Sequence, residues 1–154
     1  MMKPIPWITI IAMSLGTMAS PTYAQDSQKE VLQVAQNLLD AIGRGDTTAF
    51  RSLFLPNAMI YTVREKDGQP ITTSRSPLTD AFRPGTVVKE EMKDSGVNVQ
   101  VHGNMAQVWA PYNLWINGSF SHCGIDVFTL LKTTHGWRIV ALSYTIEKEG
   151  CEVP

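Results

Sequence analysis

The chain carries almost no net charge: thirteen Lys and Arg stand against fourteen Asp and Glu, a formal net charge of -1. No stretch gathers the basic residues into a cluster, so the electrostatic footprint by which nucleic acid or an anionic membrane is recognised is missing. Cysteine is scarce, with Cys123 and Cys151 the only pair. Two thiols cannot close a structural zinc site, and no histidine stands at a supporting spacing. Neither a metal nor a cofactor is expected. A phosphate-cradling glycine loop, a serine nucleophile elbow and a metal triad are all absent, as are internal repeats and low-complexity linkers. What remains is an ordinary globular composition, 44% hydrophobic and 18% charged over 154 residues, which suits one domain.

The apolar run from Trp7 to Ala19 is too short to span a bilayer. It follows the positive start Met1-Met2-Lys3 and precedes Thr22-Tyr23-Ala24, with small residues where a signal peptidase reads. This is the pattern of a cleavable secretory signal; a retained anchor is the alternative. Cleavage after Ala24 would leave a single α+β domain, 25–154, periplasmic or secreted, with no membrane contact once the leader is gone. In an oxidising compartment a Cys123–Cys151 disulfide is the leading reading, with a buried thiol and a free one as the alternative. The bridge would contribute roughly 3 kcal/mol in the chain-entropy model.

Ser27 to Glu30 fits a capping box, and Leu32, Ala35, Leu38, Leu39 and Ile42 recur at helical spacing. Gly43 and Gly45 stop that helix. Asp46 caps a shorter one, whose Phe50, Leu53 and Phe54 share a face before Pro56 ends it. Ala58 to Glu65 reads as a strand and Asp67-Gly68 as a turn. Gln69 to Arg75 is polar enough to read as a partly ordered loop. Ser76-Pro77 opens a short helix that Pro84-Gly85 closes. From Thr86 the pattern is strand-like, with Val97, Val99 and Val101 alternating with polar residues.

The stretch from Met105 to Ile146 reads as three long strands. Asn117-Gly118 supplies the positive φ of a type I′ hairpin, and Thr133 to Gly136 makes the second turn. Helices on one face of a curved, mainly antiparallel sheet follow as the expected plan. A two-residue loop at Asn117-Gly118 places Trp115 opposite Phe120, Asn113 opposite His122 and Trp109 opposite Asp126. One face then holds Trp109, Asn113, Trp115, His122 and Asp126, an aromatic surface suited to a pocket or a sheet-to-sheet dimer. The other, with Tyr112, Cys123 and Ile125, meets the helices. A bulge at Pro111 would swap the faces before it.

This arrangement resembles the nuclear transport factor 2-like superfamily, a cone-shaped α+β fold, and within it the exported SnoaL-like or putative lumazine-binding proteins. The residues that carry the resemblance are Gly45-Asp46 with Phe50, Leu53 to Ala58, Val108 to Tyr112, Phe120 to Phe128, Gly136 to Ile139, Tyr144-Thr145 and Cys151. It implies a fold and a cavity but no single activity.

His122 and Asp126 are the sharpest catalytic candidates, a neutral-pH base and a desolvated acid. Four positions apart on a strand, they lie about 13 Å apart unless Gly124 hosts a bulge; hydrogen bonding to backbone or cross-strand groups is their structural alternative. Tyr61 and Arg64 are pocket candidates on the first strand. Trp109, Asn113 and Trp115 are ligand-binding candidates, since tryptophans stack flat rings, although they serve equally as core or dimer contacts. The isomerase branch of the resemblance requires a tyrosine on the first helix and a carboxylate base near the first strand; here Ser27 to Ile42 contains no tyrosine and Ala58 to Glu65 no aspartate, which argues against that chemistry. Two functions follow. One is an exported small-molecule-binding or accessory protein, dimeric through its sheet, taking a small apolar or aromatic ligand. The other is a SnoaL- or isomerase-type enzyme using His122 and Asp126.

Overall fold

The computed structural model describes residues 21–153, and the side chains from residue 25 onward. Most of the expected leader therefore lies outside the described residues. Helix α1 spans Pro21–Arg44, beginning ahead of the expected cleavage point. Ser27 accordingly lies inside the helix, and the capping box does not form. Glu30 instead reaches the sheet, where its Oε2 accepts from Trp137 Nε1 at 3.1 Å and from Lys132 Nζ at 3.4 Å. The apolar stripe is as expected: Val31, Ala35 and Leu38 are fully buried. Gly43 does not stop the helix; Gly45, at φ +64, supplies the left-handed residue that ends it.

Helix α2, Thr47–Ser52, is capped by Asp46, whose Oδ1 accepts from Ala49 N at 2.9 Å. It stops earlier than expected, because strand β1 (Phe54–Lys66) starts at once and takes in Pro56. Proline is tolerated there because the pairing with β7 breaks between Phe54 and Met59, so no ladder bond is asked of it. The polar segment Gln69–Arg75 is not a loop but the edge strand β2, paired with β1 through the Asp67-Gly68 hairpin. Both of its faces are largely exposed, so no apolar alternation marks it. Past a 3-10 turn at Pro77–Thr79, shorter than the helix expected there, come β3 (Val88–Met92), β4 (Asn98–His102), β5 (Met105–Ile116), β6 (Ser119–Thr133) and β7 (Gly136–Ile146).

These strands form one sheet in the order β2-β1-β7-β6-β5-β3, with β4 also paired to β5. Only β1 with β7 is parallel, and α1 lies across the sheet against β3, β4, β5 and β7. The α+β plan with a mainly antiparallel sheet is therefore the one observed.

One register detail decides which residues meet the helices. Trp115 pairs with Phe120 as expected, but the next pair is Leu114 with His122, leaving Ser121 as the extra residue of a β-bulge. Asn113 thus faces Cys123 rather than His122, and Trp109 faces Val127 rather than Asp126. Since the side-chain period is two, that single residue moves His122, Asp126 and Phe128 onto the helix-facing side with Ala110, Tyr112 and Leu114. It moves Cys123, Ile125 and Val127 to the outer side with Trp109 and Asn113. No shift occurs at Pro111, where pairing runs unbroken and the carbonyl accepts from Lys93 N at 2.8 Å.

Candidate functional site

Between α1 and the sheet lies a cavity of about 240 Å³, smaller than the roughly 300–1,000 Å³ typical of drug-sized ligands. Its walls are mostly apolar: Leu38, Leu39 and Ile42 come from α1, Phe50 from α2, and Ile60 and Leu142 from the parallel strands. Into this lining project Glu90 from β3, Tyr112 from β5, His122 and Asp126 from β6, and Tyr144 from β7. Arg75 and Asp80 close one side.

Each polar group has a distinct state. Tyr112 is fully buried and donates its hydroxyl to the Thr145 carbonyl at 2.7 Å, so that donor is used in the sheet. Its ring stands edge-on to His122, centroids 5.8 Å apart. The His122 Nδ1 lies 2.9 Å from Ser121 Oγ on the bulge. Burial, with a smaller push from the Lys148 charge, lowers the His122 pKa and favours neutral imidazole. Arg75 donates to Asp80 Oδ2 at 2.9 Å and to the Tyr144 hydroxyl at 3.3 Å, so its charge is already engaged.

Asp126 is different. It is 2% exposed, and its Oδ2 has no hydrogen-bond donor among the described residues. Its neighbour is another carboxyl, Glu90, within hydrogen-bonding reach. Burial and like charge both oppose ionising the second carboxyl of such a pair, which favours one proton held by the two together. Burial first, then the Glu90 charge and hydrogen bond, raise Asp126 well above its ordinary value. Burial pushes Glu90 up to about 7, against the opposing pull of its hydrogen bond to Asp126.

Of the residues singled out from sequence, His122 and Asp126 line one cavity, but β6 runs without a bulge across Gly124, so the strand keeps them apart. Tyr61 and Trp109 lie on the outer face, 47% and 48% exposed. Arg64 is exposed near the end of β1. Asn113 and Trp115 border an outer groove with Glu152 and Val153, where Asn113 Nδ2 donates to the Glu152 carbonyl at 3.0 Å. Cys123 and Cys151 are disulfide-bonded, Cα atoms 5.7 Å apart, and hold this tail over the outer face. Glu90 escaped the sequence reading. Its signal was the alternation Val88, Glu90, Met92, which puts an acid on an otherwise apolar face.

Residues 26–145 match the family model described as putative lumazine-binding. No curated protein matches the chain. Among solved structures, a nuclear transport factor 2-like superfamily protein from Salmonella enterica is 17% identical, with a TM-score of 0.63 over 82% of this chain and 95% of that one. The β subunit of a putative aromatic-ring-hydroxylating dioxygenase from Novosphingobium aromaticivorans is 11% identical, with a TM-score of 0.66 over 86% and 95%. A putative dehydratase of the same fold family from Streptomyces avermitilis is 15% identical, with a TM-score of 0.58 over 79% and 96%. At these identities the likeness is one of fold. The matched span covers α1 through most of β7, and the chain belongs to the putative lumazine-binding family, with a fold shared with the nuclear transport factor 2-like structures.

Proposed function

We propose that this chain is an exported binding protein that holds a small, mainly apolar molecule between α1 and the sheet. The observation that carries the reading is Asp126 Oδ2, a buried polar atom with no donor among the described residues, at the wall of a mostly apolar cavity. Leaving such an atom unpaired costs about 1–3 kcal/mol, which a ligand donor offsets. The disulfide and the leader pattern at Met1 to Ala24 support export. Native mass spectrometry of protein expressed from the full chain tests these points together. The expected species starts at Gln25, gains two hydrogens on reduction and carries a ligand mass that Leu142→Trp removes. Retained residues 1–24 with freely alkylated thiols count against export, and a ligand-free cavity that takes up no small molecule sinks the binding reading.

A second reading, an enzyme of the SnoaL or isomerase type, draws on the presence of His122 and Asp126 in one cavity with a neutral imidazole. It requires His122→Ala to abolish turnover while leaving stability nearly unchanged.

A homodimer through the outer face completes the proposal. Tyr61 and Trp109 stand half-exposed beside Ile125 and Val127, an apolar patch of the kind that marks an association surface. Trp109→Lys is expected to weaken self-association at least thirtyfold in sedimentation equilibrium, as for a central interface tryptophan worth about 2 kcal/mol. A protein that sediments as a monomer before the substitution removes this part of the proposal.

A further inference from the structure

We infer that the ligand of this cavity is a small organic cation, an ammonium group on an apolar body, and that it binds by displacing the proton held between Glu90 and Asp126. The inference rests on the cavity being the binding site and adds the chemical class of what binds there.

Three observations converge on it. The one buried side-chain polar atom on this wall with no partner among the described residues is an acceptor, Asp126 Oδ2. Tyr112 spends its hydroxyl proton on Thr145, and Arg75 is taken up by Asp80 and Tyr144. Asp126 Oδ2, buried and without a donor, therefore asks for a ligand that brings donors. Second, the two facing carboxyls have no protein cation: neither forms an ion pair among the described residues, and His122 is biased to its neutral form. An ammonium carries three donors and one compact positive charge, and it answers both carboxylates once they part from hydrogen-bonding distance to admit it. Third, the remainder of the wall is aliphatic and aromatic, so the body of the ligand is apolar.

The other groups around the pair do not supply a competing charge. Tyr112 is raised by burial and by the two carboxyls, with smaller contributions from Tyr144 and Glu147, and so stays neutral. Arg75 and Asp80 offset each other at the side of the cavity. The pair alone sets the pH response. Below its titration range a proton occupies the position and competes with the cation. Above it, the site is anionic and open to one, so affinity rises with pH.

Isothermal titration calorimetry with matched probes, benzylammonium, benzyl alcohol and benzoate, decides the matter. Benzylammonium is expected to bind at least tenfold more tightly than the other two at pH 8. Its affinity should fall at least tenfold between pH 8 and pH 5.5, with proton release visible as a buffer-dependent heat. Asp126→Asn and, separately, Glu90→Gln should each weaken it tenfold or more and flatten the pH dependence; two variants guard against one that fails to fold. Tight binding of the alcohol or the acid, with the ammonium inert, overturns the cation assignment and leaves the cavity reading standing. Uptake of none of the three overturns the cation assignment and counts against the cavity reading. Ammonium binding that neither variant alters places the site elsewhere and overturns both.

Discussion

Gly124→Ala is expected to cost about 4 kcal/mol or more, at the exceptional end for a single methyl group. Gly124 pairs with Tyr112 across β5 and β6, and a Cβ placed there meets the Tyr112 ring 2.8 Å from Cε1 and Thr145 Oγ1 at 2.9 Å, closer still to the Thr145 carbonyl oxygen. None of the three is free to retreat. The carbonyl accepts the Tyr112 hydroxyl; Thr145 Oγ1 accepts from Ile125 N and donates to Glu147 Oε1, each at 2.9 Å; and the ring is fully buried. Overpacking of this kind has no flexible end to absorb it. Gly43→Ala is the internal control. It lies within α1, where a Cβ meets only the Val88 carbonyl at 3.7 Å, so the lower backbone entropy of alanine should stabilise by about 0.5–1 kcal/mol. Urea denaturation of the two variants should therefore move in opposite directions. A loss below about 1 kcal/mol for Gly124→Ala would mean that the strand pair can open there, and that Tyr112 is not clamped at the cavity wall.

Elements whose sequence pattern and environment agree were legible. The stripe of α1, the Asp46 cap and the Asn117-Gly118 turn each follow from local chemistry that the tertiary fold does not override. The edge strand β2 was not legible, because a strand exposed on both faces loses the alternation that betrays strands. The polar floor of the cavity was hidden by one residue. The Asn117-Gly118 turn gives Trp115 opposite Phe120 correctly, yet the bulge at Ser121 reverses every facing beyond it. Nothing in Phe120 to Gly124 marks a bulge, since a bulge is settled by the packing on both sides of the sheet. His122 and Asp126 were singled out for their chemistry and do reach a cavity, though on the face opposite the one expected. Trp109, Asn113 and Trp115 stay on the face away from the helices, as expected, and so are parted from His122 and Asp126. Glu90 could be placed only once β3 was paired with β5, a long-range contact that no local pattern encodes.

Asp126→Asn is expected to make the protein more stable at pH 8 and scarcely change it at pH 4. The sign follows from the direction of the two shifts. Both carboxyls have folded-state values raised above their ordinary 3.8 and 4.5, so above about pH 4 the native state holds a proton that the unfolded chain has released. Stability is then fully present at low pH and is lost as the pH climbs through the raised values, opposite to the trend from ion-paired carboxylates. For Glu90 the rise from 4.5 to about 7, at about 1.4 kcal/mol per pH unit, amounts to on the order of 3 kcal/mol. An asparagine at 126 removes one of the two competing charges and offers Glu90 an amide donor, so most of that loss should be recovered. Thermal denaturation of both proteins from pH 4 to pH 8 reads it directly: the curves should coincide at the acid end and separate steadily toward pH 8, with the variant higher. Parallel curves would show that the carboxyls hold no proton at neutral pH. A natural chain that keeps Asp126 under this cost has a group whose presence stability does not explain. The same substitution is expected to weaken cation binding, so one variant measures both what the acid pair costs the fold and what it gives the cavity.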